Sequence, residues 1–360
     1  MPSAPSGPRV GAAWPMSGPA ARDELASWTT AELSPVPLPP ALPMATLPPP
    51  GRTELIDGRG VYIRRHDGPV GPTPVWFVHG LGGSSTNWTR LAAVLADRTV
   101  GFSVDLPGSG RSDPPPRGRY SLLGDADLVA AAIRRVSGVG PVHLVGNSLG
   151  GYVATLLAAR HPDLVASLTL ISPAVPDLRL TSDRGGDPRL ALLLLPGTTG
   201  VAGRRLGGID AATRARGTGR LCFGDPDLID DASYAAAAAD LDWRTGLPWA
   251  SLATLGPLRS MMGRYLRPGR WSFASAARSL PCPVLVVWGT RDRLVDVRLS
   301  RRTVREFRDA TLLVLPGVGH VAQMEDPITT ARAVLALWDR TDHTGVPHVR
   351  PAPRVEPSSS

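Results

Sequence analysis

Short apolar, β-branched runs alternate with longer Ala- and Leu-rich stretches through the middle of this chain, and few architectures satisfy that rhythm. Residues 75–78 (Val-Trp-Phe-Val), 99–104, 142–145, 168–171, 284–288 and 311–315 read as buried strands. Residues 88–96, 122–136, 151–160, 297–307 and 328–338 read as the helices between them. Near-continuous apolar strands have no polar face, so their sheet is covered on both sides and runs mostly parallel. Residues 53–65, with Asp57-Gly58 inside, read as a hairpin adding an antiparallel edge. The expected fold is α/β, a mostly parallel eight-stranded sheet with helices on both faces.

The rhythm stops over residues 174–279, which are rich in Ala, Leu, Arg and Gly and include the helix-favouring run 234–239. That stretch is expected to be a helical lid inserted after strand six, leaving residues 51–173 and 280–340 as the core. Residues 1–50 carry repeated proline, as in Pro48-Pro49-Pro50, and read as an extended or disordered linker. Within them only residues 23–33 suit a helix, with Trp28 on its apolar side. The tail over residues 341–360 reads as disordered for the same reason.

Composition excludes several classes. The chain has 360 residues, 42% of them hydrophobic, enough for a full-sized core. Its net charge of +8 comes wholly from Arg, since Lys is absent, and is spread along the chain. A nucleic-acid binder concentrates positive charge on one element, so none is expected as partner. The longest apolar run, residues 190–196, is far short of the ~18–20 residues that span a bilayer. No secretory leader is readable in the proline-broken start, and a cytoplasmic protein is expected. Cys222 and Cys282 read as two buried free thiols and offer no metal-ligand spacing.

Gly146-Asn147-Ser148-Leu149-Gly150 follows a strand and precedes a helix. That context forces a tight reversal at Ser148 and lifts its hydroxyl above the sheet. Side chains two positions away would collide, so Gly146 and Gly150 are required. The helix that follows aims unpaired N–H groups at a nearby oxyanion.

A serine hydroxyl needs a base within hydrogen-bond reach. Of seven His, His320 in Gly317-Val318-Gly319-His320 follows the last strand at the same sheet edge as Ser148. His79 also ends a strand, but within Gly80-Leu81-Gly82-Gly83. His143 sits inside a strand, and His161 reads as a helix end. His66, His343 and His348 lie in polar or proline-rich contexts. The base in turn needs a carboxylate to fix its tautomer. Asp292 lies four residues past strand seven; Asp296 is its rival, with a helix-capping role of its own.

With Ser148, Asp292 and His320 in that order, the chain resembles the α/β-hydrolase fold superfamily from about residue 52 to 340. The likeness also rests on His79-Gly80-Leu81-Gly82-Gly83 and on Asp105-Leu106-Pro107-Gly108-Ser109-Gly110-Arg111-Ser112. It implies an oxyanion hole from the N–H groups of Leu81 and Leu149, a structural His79, and no cofactor or metal. Serine at the elbow departs from relatives that form an alkyl-enzyme ester on Asp, such as haloalkane dehalogenases and epoxide hydrolases.

The expected function is a serine hydrolase that cleaves a small apolar ester through an acyl-enzyme. Alternatives on the same site are carbon–carbon bond hydrolysis of a ring-cleavage ketone and a cofactor-free haloperoxidase or acyl-transfer activity. A non-catalytic binding protein would be expected to have lost a triad member, and none is missing. Trp243, Trp249, Trp271, Tyr234, Tyr265, Met261 and Met262 either line a pocket under the lid or pack its helices on the sheet.

Overall fold

Asp57 and Gly58 both take positive φ, 48° and 74°, which is what a two-residue turn between twisted antiparallel strands requires. They join β1 (Gly51–Ile56) to β2 (Arg59–His66). The computed structural model describes residues 24–70, 72–138, 140–177, 209–266 and 269–342. Trp14, the run 190–196, His343, His348 and the tail beyond 342 lie outside the described residues.

Six further strands follow: β3 (Val75–Val78), β4 (Gly101–Val104), β5 (Val142–Asn147), β6 (Val165–Ile171), β7 (Val284–Gly289) and β8 (Ala310–Leu315). Their order in the sheet is β1-β2-β4-β3-β5-β6-β7-β8, parallel from β4 to β8 and antiparallel at β1 and β2. Alternate side chains enter two separate cores. Trp76, Val78, Leu144, Leu168, Val286 and Trp288 face one side, and Val75, Phe77, Val145, Leu285 and Val287 the other.

Helices cover both faces. Among the described residues these are α1 (Thr89–Leu95), α2 (Leu122–Ser137), α3 (Leu149–Arg160), α4 (Ala211–Cys222), α5 (Asp231–Thr245), α6 (Ala250–Leu266), α7 (Phe273–Ser279), α8 (Ser300–Val304), α9 (Ala322–Glu325) and α10 (Pro327–Asp342). The first core packs on α2 and α3, the second on α1 and α10. The described part of the long insertion is α4 to α6, between β6 and β7. α7 belongs to the core instead, because Phe273 packs edge-on against Tyr152 at 5.4 Å and Phe307 at 6.0 Å. The insertion expected to end at residue 279 therefore gives way to the core before α7. The helix expected over residues 297–307 is a 3-10 turn (Val297–Leu299) followed by the short α8.

Residues 24–50 differ from the linker reading. They are extended, but they lie on the core. Thr30 and Ala31 donate their N–H groups to the Leu312 carbonyl at 2.7 and 2.9 Å, and the N–H groups of Leu312 and Val314 donate to the hydroxyls of Thr30 and Thr29, both at 3.0 Å. These bonds satisfy the outer edge of β8, which would otherwise present open donors and acceptors. They also explain why the helix expected over 23–33 is absent beyond its first turn. Proline removes donors but keeps carbonyls, and arginines use them. Arg64 donates to the Pro49 carbonyl at 2.5 Å and Arg90 to the Leu42 carbonyl at 2.8 Å. Leu25 is buried, and Arg301 stacks on Trp28 at 5.1 Å.

Two predictions come from this architecture. A chain started at Gly51 loses the cover of β8 and the burial of Leu25, a side chain worth roughly 1.5–3 kcal/mol by itself. Its melting temperature falls by several degrees and it aggregates sooner on heating; an unchanged melting curve would contradict the docking. The second concerns Asp125, buried in the first turn of α2, where burial, opposed by Arg59, pushes its pKa up to about 7 from 3.8. The folded chain therefore holds an extra proton between those two values, and stability declines as pH rises through that window. Asp125→Asn is expected to raise the melting temperature at pH 8 and to leave it nearly unchanged at pH 4, as read by calorimetry.

Candidate active site

Ser148 sits at φ 54° and ψ −121° between β5 and α3, a conformation that costs a non-glycine residue roughly 1–3 kcal/mol. Its neighbours have no room to relax it. A Cβ on Gly146 would lie 2.5 Å from the Gly150 carbonyl, and one on Gly150 would run into the Val78 carbonyl. The turn is held by the Ser148 N–H donating to Ile171 at 3.0 Å and by Ala174 donating to the Ser148 carbonyl at 2.9 Å. The half-buried Ser148 thus stands at the carboxyl edge of the sheet.

His320 and Asp292 meet there. His320 Nδ1 donates to Asp292 Oδ2 at 2.9 Å, and both side chains are almost wholly buried. The other carboxylate oxygen accepts the N–H groups of Leu294 and Val295, each at 2.9 Å, so Asp292 cannot turn away. With the proton on Nδ1, Nε2 is left as the basic nitrogen. Asp296 is placed elsewhere: it caps the 3-10 turn through the Arg298 N–H at 2.9 Å and pairs with the Arg298 guanidinium.

Asn147 links the two halves, a role that the sequence reading did not assign. Its Nδ2 donates to the Ile171 carbonyl and to the His320 carbonyl, both at 3.0 Å. The main chain of His320 is therefore one hydrogen bond from the residue preceding Ser148. An amide is the one side chain of this size with two donors on a single nitrogen, and that was the available signal.

The loop carrying Leu81 also reaches the elbow. A Cβ on Gly80 would lie 3.0 Å from Ser148 Cβ, so only glycine lets the two backbones approach this closely. Leu149 is the first residue of α3, and its N–H has no carbonyl a turn earlier. His79 is fully committed: Nδ1 donates to the Gly80 carbonyl at 2.7 Å and Nε2 accepts the Leu106 N–H at 3.0 Å. Burial lowers its pKa and keeps it neutral. Asp105 accepts the N–H groups of Ser85 at 2.6 Å and Arg111 at 2.9 Å, tying together the loops after β3 and β4. Elsewhere, His143 stacks on Trp338 at 4.3 Å, and His161 Nε2 meets Asp127 at 3.0 Å.

The insertion rests on these loops. Arg244 donates to the Gly82 carbonyl at 2.8 Å, and Arg111 stacks on Trp243 at 5.2 Å. Beside these contacts is a small solvent-open cleft lined by Gly82, Ser109, Arg214, Arg244, Thr245 and Ala253 among others. Met261, Tyr265 and Trp271 pack on the core, Tyr265 stacking on Tyr152 at 6.2 Å. Burial of the Cys222 and Cys282 thiols pushes both up to about 12, and both are free. Among the described residues no group of three or more His, Cys, Asp or Glu is placed to hold a metal ion, and no helix is long and apolar enough to cross a membrane.

Both the sequence and the fold have counterparts. The pimeloyl-[acyl-carrier protein] methyl ester esterase of Chromobacterium violaceum is 30% identical over 250 residues, covering 69% of this chain and 87% of that one. A solved lipase candidate of Acinetobacter baumannii superposes with a TM-score of 0.67 at 17% identity, covering 94% of this chain and 100% of that one. A meta-cleavage product hydrolase of Pseudomonas fluorescens gives 0.63 at 20% identity, covering 81% and 98%. Residues 77–333 match the sequence profile of the Alpha/beta hydrolase family. That span takes in the elbow, the Asp292–His320 pair and every parallel strand except the first two residues of β3, and the chain belongs to the alpha/beta hydrolase family.

Proposed function

We propose that this hydrolase cleaves a small carboxylic ester through an acyl-enzyme on Ser148. The carrying observation is the buried Asp292–His320 hydrogen bond at 2.9 Å beside an elbow whose serine is held at positive φ. Ser148 Oγ attacks the ester carbonyl while His320 Nε2 takes its proton. The imidazolium that forms is stabilised by Asp292. The tetrahedral oxyanion is held by the N–H groups of Leu149 and Leu81, each such donor being worth about 3–4 kcal/mol of barrier. His320 then returns the proton to the departing alkoxide, leaving an acyl-serine and a free alcohol. Water, deprotonated by the same Nε2, attacks the acyl group and releases the acid, and Ser148 recovers its proton.

The named activity of the Chromobacterium violaceum relative is ester cleavage, and the substrate class is taken from it. In this reading the insertion acts as a lid, and its contacts with the loops after β3 and β4, through Arg244 on the Gly82 carbonyl and Trp243 on Arg111, support that role. Carbon–carbon cleavage and acyl transfer would use the same nucleophile, and no contact among the described residues favours either.

A panel of p-nitrophenyl esters of increasing acyl length tests this reading. Wild type is expected to release p-nitrophenol, and Ser148→Ala to fall to the uncatalysed rate; equal rates in the two proteins would remove Ser148 from its role. Asp292→Asn should lower kcat by roughly 10³–10⁴, whereas Asp296→Asn should leave kcat within about threefold. The reverse ranking would assign the acid to Asp296. Asn147→Ala should lower kcat by about tenfold or more with a smaller change in KM, since a base displaced by about 1 Å can cost 10²-fold.

A further inference from the structure

The end of α4 and the loop that carries His320 are interlocked. The His320 N–H donates to the Cys222 carbonyl at 2.7 Å. A Cβ on Gly224 would run into the Gly317 carbonyl, and one on Gly319 into the carbonyl of Cys222 and the N–H of Gly224. Arg291, next to Asp292, donates to the Gly224 carbonyl at 3.2 Å. One carboxylate closes the junction. Glu325 Oε1 accepts the Gly319 N–H at 2.8 Å, while Oε2 accepts the Gly224 N–H at 2.8 Å and the Asp225 N–H at 3.4 Å.

Nothing in the mechanism above uses Glu325, yet the site it occupies is costly for a carboxylate. Burial pushes its pKa upward against these N–H bonds. A group held there at such a cost, with one oxygen on the His320 loop and the other on the insertion, fastens two chain segments that are about a hundred residues apart. Charge-assisted bonds of this kind are the stronger class.

We propose that Glu325 is a positioning residue: it fixes the His320 loop by stapling it to the 222–225 segment of the insertion, so that the base is aligned only while this end of the insertion stays docked. The proposal rests on the ester-hydrolase reading of Ser148 and His320. Three of the four main constraints on His320 now have named sources: Asn147 on its carbonyl, Cys222 on its N–H and Asp292 on Nδ1. Glu325 supplies the fourth through Gly319. Any opening of the insertion that admits substrate must then hinge away from Cys222–Asp225, toward α5 and α6.

The test uses the full chain and an alkyl p-nitrophenyl phosphonate, which releases one p-nitrophenol per nucleophile and reports rate and amplitude separately. In Glu325→Gln the amide accepts on one arm only, and its NH₂ faces an N–H on the other. The expected result is a full amplitude of one per chain with a rate constant lowered about 10- to 100-fold. Ester KM should stay within about threefold of wild type. Gly224→Ala, which forces the same junction apart while leaving Glu325 itself a carboxylate, should reproduce that pattern. A Glu325→Gln rate equal to wild type would overturn the proposal. So would an amplitude reduced with the rate unchanged, which would mean a partly unfolded population and a structural role only. A wild-type chain that releases nothing from the phosphonate or from esters would instead overturn the ester-hydrolase reading on which the proposal stands.

Discussion

The rest of the site depends on one backbone constraint, the positive φ of Ser148 at the crossing from β5 to α3. That geometry is unfavourable in isolation and persists because the surroundings leave no alternative. Gly146 and Gly150 remove the side chains that would block it, β6 receives the Ser148 N–H, and Gly80 admits the neighbouring loop to within van der Waals distance. The parallel sheet then brings the loops after β3, β5, β7 and β8 to the same edge. Residues as far apart in the chain as Gly80 and His320 come close to the Ser148 turn because successive parallel strands all end on one side.

Much of this was legible from the residues alone. Fully apolar strands announced a sheet buried on both faces, and the Asp57-Gly58 turn announced its antiparallel edge. The tight turn at Ser148 and the His320–Asp292 contact could be read because Gly-x-Ser-x-Gly marks a strand-to-helix reversal, and a His and an acid past neighbouring strands fall at the same sheet edge. What stayed hidden was interaction through the main chain. Asn147 and Glu325 act on carbonyl and N–H groups that carry no sequence signature. The segment over residues 24–50 was misjudged for a related reason. Proline content argues correctly against helix and ladder strand, but it leaves carbonyls that Arg64 and Arg90 use, and Thr29 and Thr30 cap an edge.

The insertion has a double character. Through Arg244 and Trp243 it touches the loops after β3 and β4 by contacts that side-chain motion can break. At Cys222–Asp225 it is interleaved with the His320 loop glycine against backbone, and separation there would expose several buried N–H and carbonyl groups together. Leaving a buried polar group without its partner costs about 1–3 kcal/mol, so the two contacts of the insertion with the core differ in how readily they separate.

The central claim is that the hydroxyl of Ser148 is activated by the Asp292–His320 pair. Mass spectrometry of the native chain after brief exposure to a fluorophosphonate measures this directly. The account predicts a single adduct per molecule, located on the peptide containing Ser148 and lost when the chain is unfolded before exposure. An unmodified Ser148 peptide, or an adduct at another serine, would contradict it.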